Sequence, residues 1–241
     1  MGRCTHLILP ALGLALIAAP AGAEQRSFTV TSFERIIVSG PFTVQVTTGG
    51  GSSARAEGDY QAINRISLQV TGQTLTVRRN SSTSWGGPRG DGSGGSAVLY
   101  LSTNEIDQAT LIGDGDVEID RLAGQRMIAT LGGNGRLAIG RIEGEEATLN
   151  VTGAGMLEAG GEADSVRITV QGAGSVVAPG LTVNRARVNL SGPGLVELTA
   201  EREAEIIASG RGSVRIHGDA ACTDRSVGAG DIVCDGFAAR R

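Results

Sequence analysis

The feature that most constrains the fold is a Gly-x-Gly motif that returns seven times at an almost constant interval. The pairs begin at Gly113, Gly133, Gly153, Gly172, Gly192, Gly210 and Gly228. Successive pairs are 20, 20, 19, 20, 18 and 18 residues apart. Self-similarity at such a period is typical of a solenoid, in which each repeat forms one coil and neighbouring coils bury a common core. The repeat therefore predicts a solenoid with 18–20 residues in each coil.

Residues around each motif alternate between apolar and polar. When the first glycine of a pair is numbered zero, positions −4, −2, +4 and +6 are apolar in nearly every repeat. Around Gly133 these positions hold Ala129, Leu131, Leu137 and Ile139. Period-two alternation indicates strands with one buried face, and the 38 glycines disfavour helix. The chain is therefore predicted to be an all-β parallel β-helix with Gly-x-Gly corners.

The corner glycines also fall at even positions, so they are expected to point inward. An inward residue at a tight bend has no room for Cβ, and glycine adopts backbone angles that other residues avoid. Each coil is then a strand, a corner, a second strand and a looser turn such as GRIEGEE. In these turns Leu122, Ile142 and Leu181 are expected to close a third side.

The N-terminal part follows the same frame less regularly. VSGPFTVQV, residues 38–46, has Gly40 at position zero and Phe42 in place of the second glycine, which predicts an atypical end coil that caps the stack. Further strands are expected at 66–70, 75–79 and 97–101. The domain boundaries are then a single solenoid domain at 24–241, with less regular coils at 28–79, a flexible Gly/Ser-rich loop at 80–96 and regular coils at 97–236.

Residues 1–23 read as a secretory signal peptide. Arg3 precedes an apolar stretch, and Ala21-Gly22-Ala23 resembles a cleavage site. No later run is apolar enough to cross a bilayer. Without this segment the chain has 20 arginines and 25 acidic residues, so its net charge is negative. The absence of a basic block disfavours nucleic acid as a partner. The expected location is the periplasm or the outer cell surface, and the exposed ends of the stack leave self-association open.

Two cysteines remain in the mature chain. Cys234 lies at position +6 of the last coil and Cys222 at position −6 of the same coil, so both thiols are expected to face the core. An exported protein meets an oxidising compartment, where such a pair is more often a disulfide than a metal site. We therefore predict a Cys222–Cys234 bridge that fastens the terminal coil.

The N-terminal segments FERIIVSGPFTVQVTTG, ARAEGDYQAINRISLQV and GQTLTVRR, followed by Gly-x-Gly coils, resemble the GIN-domain family of auto-transporter adhesin heads. The resemblance runs from about Phe33 to Cys234, and residues 33–79 carry its most specific part. It implies an exported Gram-negative protein with a right-handed β-helix-like fold and an adhesin-like role. It implies neither a cofactor nor a catalytic residue.

Signals for catalysis or metal binding are weak. His217, the only histidine after residue 23, has no paired nucleophile and is expected to be a solvated turn residue. GDGDVEID (113–120) resembles a calcium repeat, but Asp114 and Asp116 do not recur in the next coils. Position +5 carries Glu118, Glu158 and Glu197 at intervals of two coils, which leaves a polysaccharide-active enzyme as an alternative function.

A binding face is the favoured hypothesis. Positions −3 and −1 carry uncharged hydroxyl and amide side chains on the outside of the stack, which we call the polar wall. Its members are Thr130, Asn150, Thr152, Thr169, Gln171, Asn189, Ser191 and Ser209. Such a surface can hydrogen-bond a glycan or cell-wall polymer, while the same columns could instead serve as ladders between strands.

Three function classes follow from the sequence. The first is a non-catalytic, adhesin-like binding module, the second an enzyme on the same scaffold, and the third a purely structural envelope protein. A short Arg89-Gly90-Asp91 tripeptide beside Trp85 lies in the predicted loop and carries little weight in so Gly- and Arg-rich a chain.

Overall fold

The structure, a computed structural model, describes residues 24–80 and 96–236 and the backbone of residues 238–239. The predicted signal peptide, nearly all of the predicted loop, and with it Trp85 and the Arg-Gly-Asp tripeptide lie outside the described residues. The described chain is nearly all β and forms a solenoid of about 6 turns. The all-β solenoid prediction is therefore confirmed.

The N-terminal part contains eight strands and one short helix before the first long strand. Their bounds are β1 Glu24–Phe28, β2 Arg35–Ser39, β3 Thr43–Thr47, β4 Ser53–Gly58, α1 Tyr60–Asn64, β5 Ile66–Thr71, β6 Thr74–Arg79, β7 Ala97–Ser102 and β8 Gln108–Ile112. The side chain of Asp59 begins the helix by accepting from the N–H groups of Gln61 and Ala62.

Five long strands build the regular coils: β9 Asp116–Gly133, β10 Arg136–Gly153, β11 Met156–Gly172, β12 Ser175–Ser191 and β13 Leu195–Gly210. Each begins just after one corner and runs to the next, so the ladder breaks only at Gly-x-Gly. The expected looser turn is thus itself strand, with small register shifts, for example between Ile139 and Ile142. All pairings among these five strands are parallel.

The predicted inward positions form one continuous core. Ala129, Leu131, Leu137 and Ile139 are all buried, as are their counterparts in the coils whose corners begin at Gly113, Gly153, Gly172, Gly192 and Gly210. In the last coil Ile232 and Cys234 are only partly buried. Leu122, Ile142 and Leu181 are each 0% exposed and close the third side as predicted. The core is narrow because aliphatic residues from three sides meet along one axis.

The corner glycines are required by backbone geometry and by close approach. Gly133 has φ +119°, and a Cβ there would lie 2.5 Å from the carbonyl oxygen of Gly113 in the coil below. Gly135 does not need a positive φ, but its Cβ would lie 2.4 Å from the Gly115 oxygen. The backbones of neighbouring corners therefore touch directly, which excludes a side chain at either glycine.

One topological expectation was wrong. The coil of β2 and β3 does not end the stack, because β2 pairs with β6 on one side and β8 on the other. Likewise β3 lies between β7 and β9. Strands β6 and β7 thus form a coil beneath an earlier part of the chain, and the antiparallel strands β4 and β5 cover that coil. Strand β1 pairs with β4 and ends the sheet.

Short strands complete the C-terminal end: β14 Ser213–His217, β15 Ala221–Asp224, β16 Val227–Gly228, β17 Ile232–Cys234 and β18 Ala238–Ala239. Strand β17 pairs with β14, and β15 pairs with both β13 and β18. A Cys222–Cys234 disulfide joins β15 to β17. The bridge thus ties β15, which lies between β13 and β18, to β17, whose described strand partner is β14.

Replacing a corner glycine should destabilise the stack. We expect Gly133→Ala to lower the free energy of unfolding by at least about 2 kcal/mol. Alanine is strained at the positive φ of this position, and its Cβ would overlap the Gly113 carbonyl oxygen. Gly180→Ala is the matched control, since its nearest atom lies 3.9 Å away. It should change stability by less than about 1 kcal/mol. Denaturant unfolding measures both, and equal stabilities would contradict the corner argument.

Removing the disulfide should loosen the C-terminal end. We expect the Cys222→Ala/Cys234→Ala variant of the chain lacking residues 1–23 to lose about 2–4 kcal/mol. Hydrogen exchange should accelerate mainly in β15 and β17. Thiol titration of the unfolded, unreduced protein should find no free thiol; two free thiols would show that the bridge does not form.

Candidate functional site

The polar wall forms two columns in parallel register along β9–β13. An inner column pairs Thr130 with Asn150, Asn150 with Thr169, and Thr169 with Asn189. An outer column pairs successive members in the same way: Thr152, Gln171, Ser191 and Ser209. The inner column is half-buried between its neighbours, and the outer column is exposed. Tertiary structure thus brings together all eight side chains that the sequence frame grouped.

The eight side chains make no hydrogen bond with any other residue that the structure describes. Asn150 and Asn189, which a ladder would link to their neighbours, are included in this absence. Their donors and acceptors therefore face solvent and are available to a ligand.

The ends of the polar wall were not anticipated. The register of the outer column continues from Thr152 through Gly132 to Ile112, which is 52% exposed. At its other end Ser209 is paired with Val227, which is 77% exposed. The inner column ends at Ile207, paired with Asn189. The sequence does carry a signal for these ends, since apolar residues stand there at odd positions that are polar in most repeats. The shared repeat pattern conceals such exceptions. The uncharged stretch of wall is thus bounded by apolar side chains.

A charged column borders the inner column on its other side. Arg167 and Arg187 are paired in register on neighbouring coils. Arg187 forms an ion pair with Glu205 at 2.8 Å, and Arg225 approaches the same carboxylate at 3.4 Å. This border carries both signs of charge, so it does not by itself select a charged ligand.

The carboxylates considered for catalysis lie outside the polar wall, on the side of the solenoid that follows the Gly-x-Gly corner. Glu118 and Glu158 are two coils apart with Ala138 between them, as predicted. Glu158, however, accepts from Arg136, which also contacts Asp116 at 3.5 Å. One carboxylate of the pair is therefore held by an arginine rather than directed at an open space.

The residues of the calcium-like motif also contact their neighbours. Asp114 accepts from the side-chain amide of Asn134 at 3.1 Å, and Asp116 contacts Arg136. Within residues 24–80 and 96–236, no three or more His, Cys, Asp or Glu side chains are grouped so as to hold a metal ion. These side chains instead connect adjacent coils.

His217 differs from the solvated residue that the sequence suggested. Its ring contacts Glu197 through Nε2 at 2.8 Å and Asp235 through Nδ1 at 2.9 Å. Glu197 belongs to the preceding coil and Asp235 to the following one, next to Cys234. These hydrogen bonds, first with Glu197 and then with Asp235, raise the pKa of His217 above its ordinary value. The ring thus joins three successive coils at the C-terminal end.

The third side carries a broad depression of about 950 Å³. Gly140, Gly160 and Gly180 line its floor, and Asp164 lies at its edge. Hydrogen bonds from Asn184 and Arg185 lower the pKa of Asp164. The open floor follows from missing side chains, while the polar groups at the edge bind one another.

The comparisons with known proteins agree with this architecture. Residues 32–220 match the family described as "Putative auto-transporter adhesin, head GIN domain". The chain belongs to this family. Its description is that of an adhesin head domain and not of an enzyme. No curated protein shows significant similarity to the chain.

Solved structures share the fold over nearly the whole described chain. One is described as a putative adhesin from Bacteroides fragilis NCTC 9343, with 17% identity and a TM-score of 0.73. Another is described as a putative lipid binding protein from Parabacteroides distasonis ATCC 8503, with 18% identity and a TM-score of 0.69. In both cases the match covers 89% of this chain and 97% of the other. At these identities the likeness establishes the fold alone.

Among the described residues no helix has the length and apolar character needed to cross a membrane.

His217 should make stability depend on pH. Its folded pKa lies above the unfolded value of about 6.5, so its contribution is complete below that pH and disappears as pH rises through the folded pKa. We therefore expect the melting temperature of the wild type to exceed that of His217→Gln more at pH 6 than at pH 9. Thermal melts of both proteins across this range are the measurement. A difference that stays constant or grows with pH would contradict the assignment.

Proposed function

We propose that this chain is an exported, non-catalytic binding module of the cell envelope or surface, and that its polar wall holds a glycan or a cell-wall polymer. Membership of an adhesin-head family supports the general class. The signal peptide that the sequence predicts supports export. The ligand class follows from the chemistry of the wall, because hydroxyl and amide groups both donate to and accept from sugar hydroxyls.

One observation carries the proposal: eight uncharged polar side chains stand in register, yet none of them hydrogen-bonds with another described residue. Coils repeat at the strand spacing of about 4.8 Å, so equivalent groups recur along the wall. A polymer lying along the axis can make the same weak contact several times, and linked contacts raise the overall affinity.

The two rival functions are less well supported. A polysaccharide-active enzyme needs two available carboxylates, but Glu158 is held by Arg136 and Glu197 by His217. A purely structural role would be expected to use the polar columns as side-chain ladders, and no such hydrogen bonds are present among the described residues. Both observations favour binding.

A charged, bulky substitution in the wall should abolish binding. We expect Thr152→Arg and Asn189→Arg to weaken binding to the glycans or cell-wall preparations that the wild type retains by at least about tenfold, because each arginine obstructs a column. Array binding and co-sedimentation with insoluble cell wall measure this. Thr43→Arg, an exposed residue that begins β3 outside the polar wall, is the matched control and should bind normally.

Binding that survives both wall variants would rule out the polar wall as the site. Release of reducing ends from a polysaccharide panel, lost on Glu158→Gln, would favour the enzyme instead. Binding to no glycan or cell-wall preparation would favour the structural role. Protease treatment of intact cells would distinguish the outer surface from the periplasm.

A further inference from the structure

A second concave surface lies in the N-terminal part, away from the polar wall. We call this surface the cap depression. It has a volume of about 530 Å³ and lies between residues 27–30, the loop at 47–53 and the end of β7. Six serine and threonine side chains line it: Ser27, Thr29, Thr47, Ser52, Ser53 and Ser102. None of the six hydroxyls hydrogen-bonds with another described residue. The depression therefore presents open donors and acceptors in a volume typical of small-molecule sites.

The loop at 47–53 is held in place by its backbone. The Thr48 N–H donates to the Asp120 carboxylate at 2.9 and 3.0 Å. The Gly49 N–H donates to the carbonyl of Asn104 at 2.9 Å, and Gly49 supplies the positive φ of +83° that this turn requires. Because these bonds fix the loop before a ligand arrives, little ordering entropy remains to oppose binding.

An aromatic ring lies at the side of the depression. Tyr100 is paired in antiparallel register with Arg55, whose guanidinium lies 5.2 Å from the ring centroid. Glu57 contacts the same guanidinium at 3.3 Å. The cation steadies the ring, and the carboxylate balances the cation. Aromatic residues make up only 3% of the chain, yet Tyr100 and Phe28 both line this surface.

We propose that the cap depression binds one neutral sugar residue of a glycan, with the ring of Tyr100 in contact with the sugar and the surrounding hydroxyls as hydrogen-bond partners. Tyrosine offers a rigid amphipathic surface, and serine, threonine and glycine offer adaptable hydrogen bonding, a combination common in binding loops. Among the residues that the structure describes, Arg55 is the one charged side chain that lines the depression, and Glu57 already contacts it. A charged ligand therefore gains little here, and an apolar one would leave the hydroxyls without partners.

The test uses end-labelled cello-, chito-, manno- and xylo-hexaose with the chain lacking residues 1–23, followed by fluorescence anisotropy. We expect at least one oligosaccharide to bind, and Tyr100→Ala and Ser53→Arg each to weaken that binding by about tenfold or more. Tyr100→Phe keeps the ring and should retain most of the affinity. Controls are Tyr60→Ala, since Tyr60 is 61% exposed on α1, and Thr71→Arg at the end of β5.

Absence of binding to all four probes would overturn the proposal, as would unchanged binding by both Tyr100→Ala and Ser53→Arg. Should Tyr100→Ala fail to fold, the other two variants test the site: Ser53→Arg should still weaken binding, and Tyr100→Phe should still retain it. The outcome is separable from that of the polar wall, because Asn189→Arg should leave binding in the cap depression intact. If one glycan occupies both surfaces, each variant should reduce the stoichiometry from two sites to one.

Discussion

The direct contact between backbones at successive corners is the constraint on which the rest of the structure depends. A Cβ at Gly133 or Gly135 would overlap a carbonyl oxygen of the preceding coil, so the stack can close to strand spacing only if these two corner positions carry no side chain. The alternation of buried and exposed residues then continues from coil to coil without interruption. Each outward position becomes a column, and a column is what allows unrelated stretches of sequence to form one surface.

A stack of this kind leaves two unpaired ends, and the chain treats them differently. At the N-terminal end, antiparallel strands cover the parallel coils, and the edge strand β1 carries the exposed charged residues Glu24 and Arg26. Charge on an edge strand discourages further pairing. At the C-terminal end, the disulfide joins two strands of the last coil, and the His217 contacts tie that coil to earlier ones. The disulfide and the His217 contacts thus stabilise the C-terminal end of the stack.

The two candidate surfaces arise from opposite properties of the scaffold. The polar wall comes from regularity, since repeated coils place Thr169 beside Asn189 and Gln171 beside Ser191. The cap depression comes from irregularity, since it forms where the chain leaves the coil path and a fixed loop packs against β7. A repeated face suits an extended polymer, and a single concave site suits one unit of such a polymer. Together they are consistent with an adhesin-type module.

The sequence by itself determined the coil length, the buried faces, the corners and the pairing of Cys222 with Cys234, because all of these depend on spacing along the chain. It also determined the columns of the polar wall, since register follows from aligning the corners. It did not determine that β6 and β7 lie beneath β2 and β3, because there the spatial order of strands departs from chain order. For the same reason the cap depression was hidden, while the contacts of His217 depend on side-chain conformations that spacing along the chain does not specify. The depression joins residues such as Ser27, Ser53 and Tyr100, and only the tertiary fold brings these close.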